Sequence, residues 1–254
     1  MEQMLKVDDA NIEVLRFGAG PQILLLESEE QLERDLPFVQ ELAKSHEIII
    51  PSPPGFGRSS RPDWIASMDD ISYIYLNLMR QLEVKNATML GFSLGGWIAA
   101  EIAAKNCAAL KNIVLVDPYG VKHGGPTDRD IADIWVLAIP EVTRRKWRDP
   151  DKGKRDFPSM PEDYLRIVAR NTESFARFCW NPYMHNPKLK RRLHNITVPT
   201  HFIWGEHDGI VDLDYGRKYA AAIAGATFST IAEASHLPHI EQPGAFLTEL
   251  KKHI

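Results

Sequence analysis

The sequence predicts an α/β protein with a mostly parallel sheet. Short β-branched runs alternate with helical patterns, the rhythm of strands joined by crossover helices. Two runs, "ILLL" at 23–26 and "IVLV" at 113–116, are apolar without a break. Strands covered by helices on both faces read that way. A 44% hydrophobic fraction over 254 residues is ample for one large core.

Taken in order, strands are expected at 12–17, 22–26, 47–50, 87–90, 112–116, 200–204 and 227–231. Helices are expected at 31–44, 68–82, 94–105, 213–222 and 243–252. The last has Pro243 near its start and lysines in its final turn, where each is favoured. The rhythm breaks between Tyr119 and Ile196, in a segment rich in Pro, Arg and aromatics. We read residues 120–195 as a mostly helical cap inserted into a core made of 1–119 and 196–254. The stripe of Tyr164, Ile167 and Val168 within it reads as packing. The insertion holds 16 Lys/Arg against 10 Asp/Glu, a net of +6, and the remainder holds 14 against 24, a net of −10. Mutual attraction of the two pieces is the simpler reading of that asymmetry, and attraction of an anionic substrate the sharper one.

Several classes are disfavoured. The longest apolar runs are too short to cross a membrane, and the acidic start lacks a signal peptide's basic and apolar regions. Cys107 and Cys179 have no CxxC spacing, which suits two reduced thiols in a cytoplasmic protein. A formal net charge of −4 argues against general nucleic-acid binding. The nine histidines show no zinc pattern, "GFGRSS" lacks the Lys of a phosphate loop, and no metal or cofactor is expected.

The chemistry centres on "MLGFSLGGWIAAEIAAK", Met89–Lys105, where an apolar run meets an alanine-rich helix at Gly-x-Ser-x-Gly. A strand, a sharp turn and a helix in this pattern make a nucleophile elbow, with Ser93 exposed at its tip. A serine hydroxyl needs a base, and the base an orienting acid. "FIWGEHDGIVD" puts Asp208 just past a strand, and "TIAEASHLPHIEQP" puts His236 in the loop after the next one. In parallel sheets such groups gather beyond the carboxyl ends of the strands.

With "GFSLGG", "WGEHDGIVD", "SHLPHIEQP" and "PPGFGRSS" together, the chain resembles the α/β-hydrolase-fold serine hydrolases, in their lidded esterase and C–C hydrolase branch. The resemblance implies an eight-stranded, mostly parallel sheet with a helical lid after the sixth strand. It also implies Ser93 as nucleophile, His236 as general base and then acid, and Asp208 as the orienting acid. Asp117, ending the sixth strand, is the alternative acid, and His239 the alternative base. The Leu94 N–H would supply half of an oxyanion hole. Relatives usually have His-Gly after the third strand to complete it, and this chain has Glu27 and Ser28 there. The second donor is then expected from Ser28 or Glu29. Glu27, Glu29 and Glu30 are expected to turn outward as the acidic first turn of the next helix. A substrate pocket is expected around Glu27, Trp135, Phe178, Trp180 and Leu237.

The expected substrate is a small, largely apolar carboxylic ester, lactone or thioester, cleaved through an acyl-enzyme on Ser93. One alternative is C–C hydrolysis of a vinylogous diketone, its carboxylate held by Arg166, Arg170 and Arg177. Another is a ligand-binding relative without turnover. The only partner expected is the small ester or related carbonyl compound, with no nucleic acid and no membrane, on a monomer or homodimer.

Overall fold

The computed structural model describes residues 1–125 and 127–254. Eight strands form one sheet: β1 (Glu2–Val7), β2 (Ala10–Gly18), β3 (Gln22–Leu26), β4 (Glu47–Pro51), β5 (Ala87–Phe92), β6 (Leu110–Val116), β7 (Thr200–Gly205) and β8 (Thr227–Ile231). Their spatial order is β1-β2-β4-β3-β5-β6-β7-β8. The β1–β2 and β2–β4 pairs are antiparallel, and every pair from β4 to β8 is parallel. Because these strands run parallel, the carboxyl ends of β4, β3, β5, β6, β7 and β8 open on one edge.

The central strands carry apolar residues on both faces because both are covered. One cluster joins Leu24, Leu26, Met89, Ile113 and Leu115 to the helices α2 (Met68–Gln81) and α3 (Leu94–Lys105). The other joins Ile23, Leu25, Leu90, Val114 and Val116 to α1 (Pro37–Leu42) and α8 (Pro243–Leu250). Helix α2 starts where Ser67 and Asp70 cap each other's backbone N–H. On α3 every residue from Leu94 to Ala104 is buried, so this helix belongs to the interior.

Two expectations fail. The helix foreseen at 31–44 shrinks to Pro37–Leu42, because residues 27–36 use their charged side chains in buried pairs. The first strand, Glu2–Val7, goes unforeseen; it lies at the sheet edge, and of its residues only Val7 is buried.

Between β6 and β7 the chain forms α4 (Ile139–Lys146), α5 (Glu162–Cys179) and short 3₁₀ turns. Helix α5 sits on the turn after β4. Ser174 Oγ donates to the Gly55 carbonyl at 2.7 Å, Arg170 Nε to the same carbonyl at 3.1 Å, and the Gly57 N–H donates to Asn171 Oδ1 at 2.8 Å. Helix α6 (Leu213–Ala221) and the short α7 (Pro238–Glu241) complete the fold. No helix of the described residues is long and apolar enough to cross a membrane.

Candidate active site

Ser93 stands between β5 and α3 with φ +49°, a left-handed conformation a side chain adopts only under local constraint. The glycines around it are required by contact. A Cβ on Gly95 would lie 2.1 Å from the Leu26 carbonyl oxygen, and one on Gly91 2.7 Å from that of Gly95. The turn therefore brings helix and strands into backbone contact and leaves the serine at the helix N-terminus. The Leu94 N–H begins α3 and has no intrahelical acceptor, so it points free partial positive charge at that spot.

Loops after β7 and β8 bring the other groups. His236 Nε2 lies 2.9 Å from Ser93 Oγ, and His236 Nδ1 lies 2.7 Å from Asp208 Oδ2. Asp208 Oδ1 is held in turn by the N–H groups of Ile210 and Val211, at 2.7 and 3.1 Å. Tyr119 stacks on the imidazole at 5.2 Å between ring centroids. Neither alternative group takes these places. His239 Nε2 faces Glu33 at 3.1 Å, in another buried pair. Asp117 Oδ1 accepts from the Gly205 N–H at 3.0 Å, and burial, with the charge of Asp208 beside it, pushes the Asp117 carboxyl well up. Asp117 is thus the carboxyl that its surroundings push toward the neutral form, and Asp208 is the one that faces the imidazole.

The loop after β3 departs from what the sequence suggests. Glu27 does not turn outward and does not face the pocket: it is buried against Arg34, whose Nη2 donates to Oε2 at 2.6 Å. Burial raises the Glu27 carboxyl, although Arg34 pulls the other way. The Ser28 N–H is not free for an oxyanion, because it donates to Glu33 Oε2 at 3.0 Å. Glu29 turns inward: its Oε2 accepts from Ser93 Oγ at 2.9 Å, and its Oε1 accepts from Lys146 Nζ at 2.9 Å. Burial opposes the Glu29 charge, yet the Lys146 ammonium and then His236 outweigh it and bring the carboxyl to about 2. Glu30 pairs with Lys146 and Arg155.

A cavity of about 370 Å³ lies over this loop, walled by Trp135, Ile139, Val142, Trp147, Phe157 and Phe175, with Glu29, Tyr119 and Lys146 at its polar end. Ser93 and His236 are only 2% and 1% exposed, and neither lines the cavity; Glu29 does. Of the expected pocket residues, Trp135 alone lines it. Phe178 points away and stacks on Phe56, Leu237 is buried beside His236, and Trp180 is 61% exposed, edge-on to Trp135. Arg166, Arg170 and Arg177 do not line it either: Arg170 is spent on the turn after β4, and Arg166 pairs with Glu162 on the surface.

Sequence reasoning misses Lys146 entirely. It ends "RRK", which reads as a basic last turn suited to a helix C-terminus. The available signal lay in the acidic pair Glu29-Glu30 set against the basic insertion.

A family model described as the alpha/beta hydrolase family matches residues 31–249. Among curated proteins, the chain is 26% identical over 226 residues to a biotin-biosynthesis bifunctional protein of Teredinibacter turnerae, covering 81% of this chain and 39% of that one. The chain thus spans well under half of that relative's length. It is 26% identical over 215 residues to 2-hydroxymuconate semialdehyde hydrolase of a Pseudomonas species, covering 81% and 75% of the two chains. Among solved structures, the enol-lactonase of Burkholderia xenovorans superposes with a TM-score of 0.78 at 22% identity, covering 98% of each chain.

Proposed function

We propose, for a chain that belongs to the α/β-hydrolase family, that it hydrolyses a carboxylic ester, lactone or thioester through an acyl-enzyme on Ser93. The observation that carries the reading is the continuous hydrogen-bonded line Asp208–His236–Ser93, with spacings of 2.7 and 2.9 Å.

Ser93 Oγ attacks the carbonyl carbon while its proton passes to His236 Nε2. Asp208, held by two backbone N–H groups, keeps the proton of Nδ1 in place and stabilises the imidazolium. The tetrahedral intermediate collapses as His236 gives the proton to the leaving oxygen or sulfur. Water then attacks the acyl group with His236 again as base, and the acid leaves. The Leu94 N–H, at the head of α3, supports the oxyanion. Residues 120–195 act as the cap over this site, and their aromatic wall favours a largely apolar group on the substrate.

Replacing Ser93 with Ala should lower ester turnover by about 10³-fold or more, with melting temperature preserved. The screen should contain small esters, lactones, thioesters and dienoate ring-fission products. Turnover of any of them that survives in Ser93→Ala would remove the reading, and turnover confined to the dienoates would move the activity to C–C cleavage.

A further inference from the structure

Ser93 has one hydroxyl proton and two acceptors, Glu29 Oε2 and His236 Nε2, each 2.9 Å from its oxygen. While the proton points to Glu29, it is not on the path to the base. Glu29 also touches the buried serine and lines the cavity that the serine itself does not reach, so its carboxylate stands on the way from the cavity to Oγ.

The shape of the occupant is informative. A carboxylate and an ester share the planar O–C–O unit. Glu29 sets one oxygen on the nucleophile and the other on Lys146 Nζ, 2.9 Å away. An ester in the same place would have Oγ on one side and the ammonium on the other.

The ammonium stands where the loop after β3 gives up a donor. An oxyanion needs more than the Leu94 N–H, and the Ser28 N–H is committed to Glu33, which leaves the Glu29 N–H as the backbone candidate of this loop, with the Lys146 ammonium beside its carboxylate. Lys146 is also held in place. Its carbonyl accepts from the His236 N–H at 3.1 Å, and the Arg145 carbonyl accepts from the Gly209 N–H at 3.0 Å and from Ser235 Oγ at 2.7 Å. The lysine is therefore tied to the loops carrying both the base and the acid, whatever the rest of the insertion does. Fixed charge aimed at a developing anion lowers a barrier without reorganisation cost.

We propose that Lys146 is a catalytic residue that stabilises the oxyanion on Ser93, and that Glu29 is a resident placeholder which an entering acyl group displaces. The inference rests on the serine-hydrolase reading above. It explains how a chain without His-Gly after its third strand can still complete an oxyanion site. Because Glu29 stays ionised down to about 2, protonation does not release it near neutral pH; displacement does.

The test is the second-order rate of covalent labelling by a neutral fluorophosphonate, in which Oγ bonds to phosphorus, fluoride leaves and His236 takes the proton. The variants are the parent, Glu29→Ala, the isosteric Glu29→Gln, and Glu29→Ala combined with Lys146→Met. Melting curves establish that each is folded, and Glu29→Gln serves if the alanine variant is not. Glu29→Ala should label at least about tenfold faster than the parent. Adding Lys146→Met should then remove about 10²-fold, as loss of one oxyanion donor does. Acetate should slow labelling of Glu29→Ala, whose carboxylate place is empty, and leave the parent unaffected. A parent that labels while Glu29→Ala is no faster overturns the placeholder and leaves the serine reading standing. A double variant equal to Glu29→Ala overturns the role of Lys146. Absence of labelling in every folded variant overturns both readings.

Discussion

Asp117 and Asp208 lie buried together at the carboxyl edge of the sheet, where the charge of Asp208 and burial both disfavour a charge on Asp117. Asp208 has the imidazole and two backbone N–H groups to hold its charge, whereas Asp117 has one N–H. A neutral carboxyl is close in shape and hydrogen bonding to a carboxamide. Asp117→Asn should therefore keep ester turnover within about threefold. Asp208→Asn, which offers His236 a donor where it needs an acceptor, should lose about 10³- to 10⁴-fold. The comparison of kcat for the two variants checks this, and a larger loss for Asp117 would move the acid to β6. At this scale the sequence is legible where chemistry fixes spacing along the chain. Ser93, Asp208 and His236 each announce themselves by a turn after a strand. Glu29 and Lys146 do not, because 117 residues separate them and only the fold brings them together. Their local signals, an acidic helix start and a basic helix end, are genuine propensities that tertiary pairing overrides.

The elbow is the element on which the site's geometry depends. Gly95 has backbone carbonyls of Leu26 and Glu27 at 2.1 and 2.5 Å from where its Cβ would be, and backbone cannot step aside as a side chain does. Gly95→Ala should then push α3 away from β3 and cost about 3 kcal/mol or more of stability. Because the displaced helix carries Ser93 and Leu94, labelling should fall even where the variant remains folded. Denaturant unfolding together with the labelling rate checks both. Elements of this kind are readable beforehand because glycine, apolar runs and alanine-rich helices state their packing in composition. The helix foreseen at 31–44 is not, since "ESEEQLERDL" carries good helix formers whose carboxylates find buried partners instead. Glu27 takes Arg34, Glu33 takes the Ser28 N–H and His239, and the chain between them stays irregular. Glu2–Val7 escapes for the opposite reason: an exposed edge strand needs little apolar patterning, so its sequence carries little signal.

Across the whole molecule, charge is divided between two pieces, and the simpler reading of that division is realised in contacts. The insertion is net +6 and the rest net −10, and ion pairs cross the junction at Lys146–Glu29, Lys146–Glu30, Arg155–Glu30, Arg148–Glu233 and Arg192–Asp69. They are not of equal weight. Arg148 and Glu233 are both more than half exposed, and water and salt screen them. Glu30 is the shared partner of two cations that are themselves largely covered, which places it between the surface and buried limits. Reversing it should show how strongly the insertion is fastened. Glu30→Lys sets three positive groups together and should cost about 2 kcal/mol, with little relief from salt because the cluster is largely covered. Combining it with Arg155→Glu restores one attractive pair and should recover at least half of that loss, a coupling that two independent surface changes would not show. Thermal unfolding of the four chains in low and high salt measures both quantities. Equal stability of the parent and Glu30→Lys would mean that the aromatic wall and the contacts of α5 with the turn after β4 hold the insertion down, with its charge serving solubility alone.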